Sequence, residues 1–398
     1  MVPAWAIIVM LLFVVVCIVV LYEYLKDDVP APRETDPASA AREAMLIEKA
    51  QQRTELPDSC QIDEADDFTP QLRSPVKPGT IFVSIASYRD DECKDTVYQM
   101  YEQAARPDRI FTGVVQQNKE GEEDCFDKCE KCKARKDSGH IRVTSFPHTE
   151  AKGPTFARFE CSKLWDGEEY YLQIDSHSKF EKGWDETAIA QMEATRDPKG
   201  IIGGYPPTDA QMKTFKGNDF SQMITMCTGV MNSSRIPEIR ARIVKTPSGS
   251  KPVPMMYSGA GMLMMPYQAL LDVPYDPYLS YIFFGEEILH SARLWTHGYN
   301  FYAPRKAFMT HHYTRKGKPK FWEDKGMGFK SCQKKAVHRA RFLLGQEALD
   351  RVPEDFRKDV QKYGMGSVRP LSEYFKKAGI DWEKNEFKST CKEMGTPN

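Results

Sequence analysis

The sequence predicts an α/β fold built on a mixed, mostly parallel sheet flanked by helices. Three observations predict it. Short apolar, β-branched runs alternate with helix-like segments from about residue 80 onward, the pattern of strand–helix–strand units. One of these runs, EYYLQI at 169–174, leads straight into Asp175. Ligands of such sheets bind at the carboxyl ends of the strands. The composition is also that of a globular chain: 41% hydrophobic and 28% charged over 398 residues. That is too polar for a polytopic membrane protein and too apolar for a disordered one. Lys plus Arg (55) nearly cancels Asp plus Glu (56), so no basic excess points to nucleic acid.

The elements follow in order. Val2 to Tyr22 carries no charge and reads AIIVMLLFVVVCIVVL in its middle. About 20 such residues rising ~1.5 Å each cross a bilayer core of ~30 Å. Trp5, Tyr22 and Tyr24 fit interfacial anchors. A basic leader and a small-residue cleavage site are both missing, so the reading is an uncleaved anchor over residues 1–26 rather than a signal peptide. A tiny N-terminal tail and a large following body favour a type II orientation. Residues 27–77 read as a Pro-, Ala-, Glu- and Arg-rich stem, with a helix expected near 38–52. The body, 78–390, opens on the strand IFVSIASY (81–88). A helix is expected over 95–105, a strand over 109–117, a strand over 141–146, a helix over 155–164 and the strand 169–174. YNFYAPRKAFMT (299–310) is a further strand-like run.

Ten cysteines are present. Cys17 lies in the apolar span; the other nine are Cys60, Cys93, Cys125, Cys129, Cys132, Cys161, Cys227, Cys332 and Cys391. CFDKCEKC (125–132) reads either as a zinc knuckle or as disulfides. Its spacing is not that of a standard zinc site, which favours disulfides. Nine is odd, so at least one thiol stays unpaired within the chain. Asn232-Ser233-Ser234 is a glycosylation sequon.

The chemistry concentrates in a few places. In Asp175-Ser176-His177, residues i and i+2 at a strand end share a direction, so a carboxylate and an imidazole can hold one divalent cation. Mixed oxygen and nitrogen ligation suits Mn2+, with Mg2+ as the alternative, and such an ion neutralises a diphosphate leaving group. The small-residue run from Tyr257 to Met262, with Gly259 in it, lets backbone approach a ligand; its plain structural reading is a close-packed turn. Glu286 and Glu287 follow two aromatics; they also match a helix N-terminus, where acids complement the dipole. His311-His312-Tyr313-x-Arg315 offers a third imidazole beside a cation. The basic stretch from Arg315 to Arg341 reads mainly as a solvated face, with Arg315 the member expected to act.

In order along the chain, SIASYRD (84–90), GPTFAR (153–158), LQIDSHSKF (172–180), GYPP (204–207), VPYDPYLSYIFFGEE (273–287), ARLWTHGYNFYAP (292–304), HHYTR (311–315) and VRPLSEYFKKAGIDW (368–382) resemble the polypeptide α-N-acetylglucosaminyltransferases. That family adds GlcNAc to hydroxyproline or to Ser/Thr of mucin-like proteins. The resemblance spans about 80–384. It implies a GT-A fold, a UDP-GlcNAc donor, a divalent metal and retention of configuration. The family's metal motif falls on Asp175 and His177, and its later histidine on His311, with His312 adjacent. Tyr313 stands where many members carry Trp. Glu286 and Glu287 would hold donor-sugar hydroxyls or orient the acceptor, with either one a candidate nucleophile for a double-displacement variant; Arg158 would face the donor, and Arg315 would stabilise the leaving diphosphate. By fold analogy Ser87, Tyr88 and Arg89 would line the uridine pocket. The implied partners are a nucleotide sugar, a protein or glycopeptide acceptor and, through the N-terminal helix, a Golgi or other secretory-pathway membrane. Two other readings stay open: a membrane-anchored sugar-binding pseudo-enzyme, and a transferase using UDP-GalNAc or UDP-Gal.

Overall fold

The strands follow one another as β1 (Lys77–Tyr88), β2 (Ile110–Asn118), β3 (Ile141–Pro147), β4 (Glu168–Asp175), β5 (Ser178–Phe180), β6 (Gly200–Gly203), β7 (Gln222–Met231), β8 (Pro237–Lys245), β9 (Val253–Met255), β10 (Met262–Pro266), β11 (Asn300–Ala303), β12 (Met309–His311), β13 (Ile380–Asp381) and β14 (Glu386–Phe387). The helices are α1 (Cys93–Gln103), α2 (Glu130–Asp137), α3 (Pro154–Ser162), α4 (Trp184–Ala194), α5 (Asp209–Gly217), α6 (Tyr267–Asp272), α7 (Glu286–Thr296), α8 (Gly326–Leu343) and α9 (Leu371–Ala378). This computed structural model describes residues 60, 69–128, 130–217, 222–245, 251–323 and 326–392. The expected anchor (1–26) and the helix expected near 38–52 lie outside the described residues, as does the stem apart from 60 and 69–77. Among the described residues no helix is long and apolar enough to cross a membrane.

Eight strands form one sheet in the order β3-β2-β1-β4-β10-β6-β11-β9. β3, β2, β1 and β4 run parallel, β10 is antiparallel to both β4 and β6, and β11 is parallel to β6. The sheet is therefore mixed and mostly parallel, as the alternating pattern predicts. From β1 the chain moves outward through β2 and β3, then returns to place β4 on β1's other side. That reversal opens a crevice at the carboxyl ends of β1 and β4.

β1 shows why the sheet forms. Its odd positions Ile81, Val83 and Ile85 are buried with Val97, Met100 and Trp184 on one face. Its even position Phe82 packs on the other face with Phe159 and Tyr171. Burial on both faces is what an unbroken apolar run is for. The run 299–310 divides differently from the expectation. Pro304 has no N–H for a ladder, so β11 ends at Ala303 in the large sheet. β12 then starts at Met309 and pairs with β5 in a separate two-stranded ribbon.

Disulfides join Cys60 to Cys332, Cys93 to Cys125 and Cys227 to Cys391. Cys132 is disulfide-bonded too, so neither Cys125 nor Cys132 is left as a zinc ligand. Cys161 is free and buried.

One buried pair anchors the C-terminal part. The Arg339 guanidinium on α8 meets both Asp276 oxygens, at 2.9 and 3.1 Å, with neither side chain exposed. It also donates to the carbonyls of Phe356 and Lys358 at 2.7 Å. Removing one partner strands a buried charge. Arg339→Met should therefore cost about 3–5 kcal/mol in denaturant unfolding. Loss of less than about 1 kcal/mol, the scale of an exposed pair, would show that the pair is not an anchor.

Candidate functional site

A cleft of about 680 Å3 opens at the carboxyl ends of β1 and β4, within the range of small-molecule sites. Asp175 ends β4. The chain turns through Ser176 and His177 into β5, whose Ser178 is paired in register with His311 of β12. The His312 N–H donates to the His177 carbonyl at 3.1 Å. This ribbon brings residues 136 positions apart in sequence to hydrogen-bond distance, with His311 Nε2 3.0 Å from Asp175 Oδ2. Strand alternation sends the two neighbouring histidines to different places. His311 is buried in the cleft, whereas His312 meets the Glu92 carboxylate at 2.9 Å.

The donor set fits a divalent metal. Asp175, His177 and His311 each offer a ligand atom, all within 4.8 Å of one another. The 3.0 Å spacing of His311 Nε2 and Asp175 Oδ2 matches neighbouring ligands of an octahedral ion at ~2.1 Å, which stand about 3 Å apart. His177 Nδ1 lies 2.8 Å from Asp90 Oδ2. Donation of the Nδ1 proton to that carboxylate leaves Nε2 as the free ligand nitrogen, the support commonly seen behind metal-binding histidines. Burial pushes the Asp175 carboxyl up, but the His311 hydrogen bond and the charges of His311, Arg158 and His177 outweigh it and hold the group well below the usual carboxylate range. Asp90 behaves alike: burial opposes ionisation, while His177, Ser176 and Arg315 together keep it charged.

Two cations flank this set. Arg158, on α3 and 4% exposed, reaches Asp175 Oδ1 at 3.1 Å, the Ala260 carbonyl at 3.3 Å, and the Glu286 carboxylate. Arg315 meets Asp90 Oδ1 at 2.9 Å. Glu286 and Glu287 begin α7 after Gly285, whose φ of 115° suits glycine. Glu287 accepts from the Tyr205 hydroxyl at 2.5 Å and from the Ala260 N–H at 2.8 Å. Burial pushes its carboxyl up to about 7, against the pull of those two hydrogen bonds and of Arg158. Phe283, Phe284, Phe321 and Trp322 form an aromatic wall across the cleft, with Phe283 and Trp322 centroids 5.1 Å apart.

Of the residues expected in the site, Tyr88, Arg158, Asp175, His177, Glu286, Glu287, His311 and Arg315 line the cleft. Ser87, Arg89 and Gly259 do not. Ala86 and Tyr88 share the cleft face of β1, so Ser87 points to the opposite face and is fully buried. Arg89 takes a positive φ of 45° beyond the strand and pairs with Glu122 at 2.9 Å. Gly259 backs onto Gly204, whose carbonyl oxygen a Cβ would meet at 2.4 Å, so its smallness serves packing; Ala260 and Gly261 reach the cleft instead. Asp90 and Tyr205 were missed. Asp90 lies beyond the end of β1, after the left-handed turn at Arg89, so strand alternation gives no signal for it. Tyr205 stands in GYPP, which gives no chemical signal by itself. In the basic stretch, Arg315 lines the cleft together with Lys320, while Lys318 pairs with Asp91 and Lys335 with Asp355.

Sheet, cleft and matching sequence together define a glycosyltransferase. The chain belongs to the family described as glycosyltransferase (GlcNAc), whose model matches residues 80–139 and 127–384. A comparison with curated proteins gives no match. Among solved structures, GalNAc-T7 with UDP, GalNAc and Mn2+ is similar over 87% of this chain and 67% of that one, at 14% identity and a TM-score of 0.47. The mannosyltransferase PcManGT from Pyrobaculum calidifontis, in complex with GDP-Man and Mn2+, is similar over 82% of this chain and 78% of that one, at 13% identity and a TM-score of 0.38.

The Glu287 environment makes a prediction. The folded state holds this proton more tightly than the unfolded chain, where the group titrates near 4.5. The associated stability is full below that pH and is lost as pH rises through about 7. Glu287→Gln removes the titration. In metal-free protein it should therefore gain on the wild type by on the order of 3 kcal/mol between about pH 4 and pH 8. Denaturant melts across that range measure the difference, and a constant gap would show that Glu287 titrates normally.

Proposed function

We propose that the chain is a retaining, metal-dependent GT-A enzyme that moves GlcNAc from UDP-GlcNAc to a Ser, Thr or hydroxyproline hydroxyl of a protein acceptor. The observation that carries this reading is the convergence of Asp175, His177 and His311 beside Arg158 and Arg315 in one cleft. Asp175, His177 and His311 would hold Mn2+ or Mg2+, which when bound neutralises the diphosphate of the donor. The chain's own groups do the rest. Tyr88 and Gln117, at the ends of β1 and β2, offer the walls of a uridine pocket. Arg315, fixed by Asp90, stabilises the negative charge that grows on the departing UDP. Asp90 holds His177 in one tautomer.

Neither glutamate is placed as a free nucleophile. Glu286 is paired with Arg158, and both oxygens of Glu287 accept hydrogen bonds. In this reading the acceptor hydroxyl attacks on the face from which UDP leaves, and a phosphate oxygen of the leaving group takes its proton; Glu286 or Glu287 as the nucleophile of a double displacement is the alternative. Glu286 and Glu287 position the sugar.

The same reading assigns residues 1–26 to a membrane anchor, 27–77 to a stem and 78–390 to the catalytic domain, facing the lumen of the Golgi or another secretory compartment as a type II protein. The disulfides support it, because such bonds persist in oxidising compartments.

Asp175→Ala should abolish both UDP-GlcNAc-dependent transfer to peptide and manganese-dependent UDP binding, while circular dichroism stays native. Transfer at the wild-type rate would remove Asp175 from the metal site. A panel of UDP-sugars with Thr-rich and hydroxyproline peptides tests the donor and the hydroxyl: transfer only from UDP-GalNAc would overturn the assigned sugar.

A further inference from the structure

A second groove, of about 360 Å3, adjoins the cleft. One of its walls is Ile239, Arg240, Ala241, Arg242 and Ile243 of β8. Side chains on a strand alternate between its faces, so a lining of five consecutive residues brings the groove to the backbone edge of β8, while Ile224 of β7, paired with Ile243, extends it over one face of the ribbon. β8 pairs with β7 along one edge, and among the described residues no strand pairs with the other. Tyr205, Ile239, Arg240 and Tyr313 line both groove and cleft, so the two are continuous. The Tyr205 hydroxyl oxygen, whose proton goes to Glu287, lies 3.2 Å from the Ile239 carbonyl and marks the cleft end of the edge. The groove lining holds two arginines and no carboxylate. Arg242 and Ile243 are exposed.

We propose that the acceptor polypeptide lies extended along the open edge of β8 and that Arg240 and Arg242 select acidic residues near the modified hydroxyl. The proposal rests on the polypeptide-acceptor reading above. An open strand edge offers a row of backbone donors and acceptors, which an extended segment completes as an added strand. Backbone pairing sets the register and is indifferent to sequence; the arginines supply the charge preference. The continuity at Tyr313 and Arg240 delivers the hydroxyl to the cleft.

The test uses the full chain, UDP-GlcNAc and three peptides that share one hydroxyl residue flanked by Asp, by Ala or by Lys. The expected KM is lowest for the Asp-flanked peptide. Arg242→Glu should raise that KM about tenfold and lower it for the Lys-flanked peptide, with kcat and UDP-GlcNAc hydrolysis unchanged. Arg242→Lys should keep the wild-type order. N-methylation of the peptide backbone near the hydroxyl should raise KM for every sequence. Equal KM for the three peptides, or no response to Arg242→Glu and to N-methylation, overturns the proposal while leaving polypeptide transfer intact. Donor hydrolysis without transfer to any peptide overturns the polypeptide-acceptor reading itself, and the groove assignment with it.

Discussion

The site is organised around the buried guanidinium of Arg158. It sits at the centre of α3 and touches three elements at once: Asp175 at the end of β4, the Ala260 carbonyl before β10, and Glu286 at the start of α7. A charge buried this deeply is tolerable only when it is paired and hydrogen-bonded. Its partners are therefore held where it needs them. Asp175 in turn sets His311, and Ala260 sets Glu287 through its N–H. Four chain segments meet at one cation, and the cleft takes its shape from that meeting.

A second centre, Asp90, does for His177 and Arg315 what Arg158 does for Asp175 and Glu286. It receives Ser176, His177 and Arg315 on one buried carboxylate. The two centres carry opposite charge and stand on either side of the three candidate ligands. Such an arrangement balances charge inside the cleft without consuming the ligand atoms. Gln173 extends the Arg158 network inward: its Nε2 donates to the Ala260 carbonyl at 2.7 Å, and its Oε1 accepts from the Tyr275 hydroxyl at 2.5 Å. The loop 259–261 is thus gripped from below as well as from the cleft, which keeps a glycine-rich segment in one conformation.

Much of the fold is legible along the chain because the sheet is local in origin. The apolar runs at 109–117, 141–146 and 169–174 each became a strand within one residue of the expected ends, and the run at 81–88 became β1, which starts four residues earlier at Lys77; short β-branched runs suit a pleated sheet and have few alternatives. The site was legible where a motif abuts a strand end, as Asp175 and His177 do. It was less so where parity decides. Ser87 and Arg89 look as suitable as Tyr88 in sequence, yet of the three only Tyr88 lies on the cleft face.

What the sequence determined by itself is the class of fold, the chemistry of the Asp-x-His turn and the paired glutamates, and an apolar N-terminal run of spanning length. These depend on residue type and short-range spacing. Tertiary structure decided which histidine faces Asp175, which cysteines join, and that Glu287 is held by Tyr205 and Ala260. It also decided that Gly259 serves packing and that Arg339 belongs to the core. Each of these is a contact between segments far apart in the chain. Register between β5 and β12, a two-residue periodicity and burial settle such contacts, and none of the three is written in any one stretch of sequence.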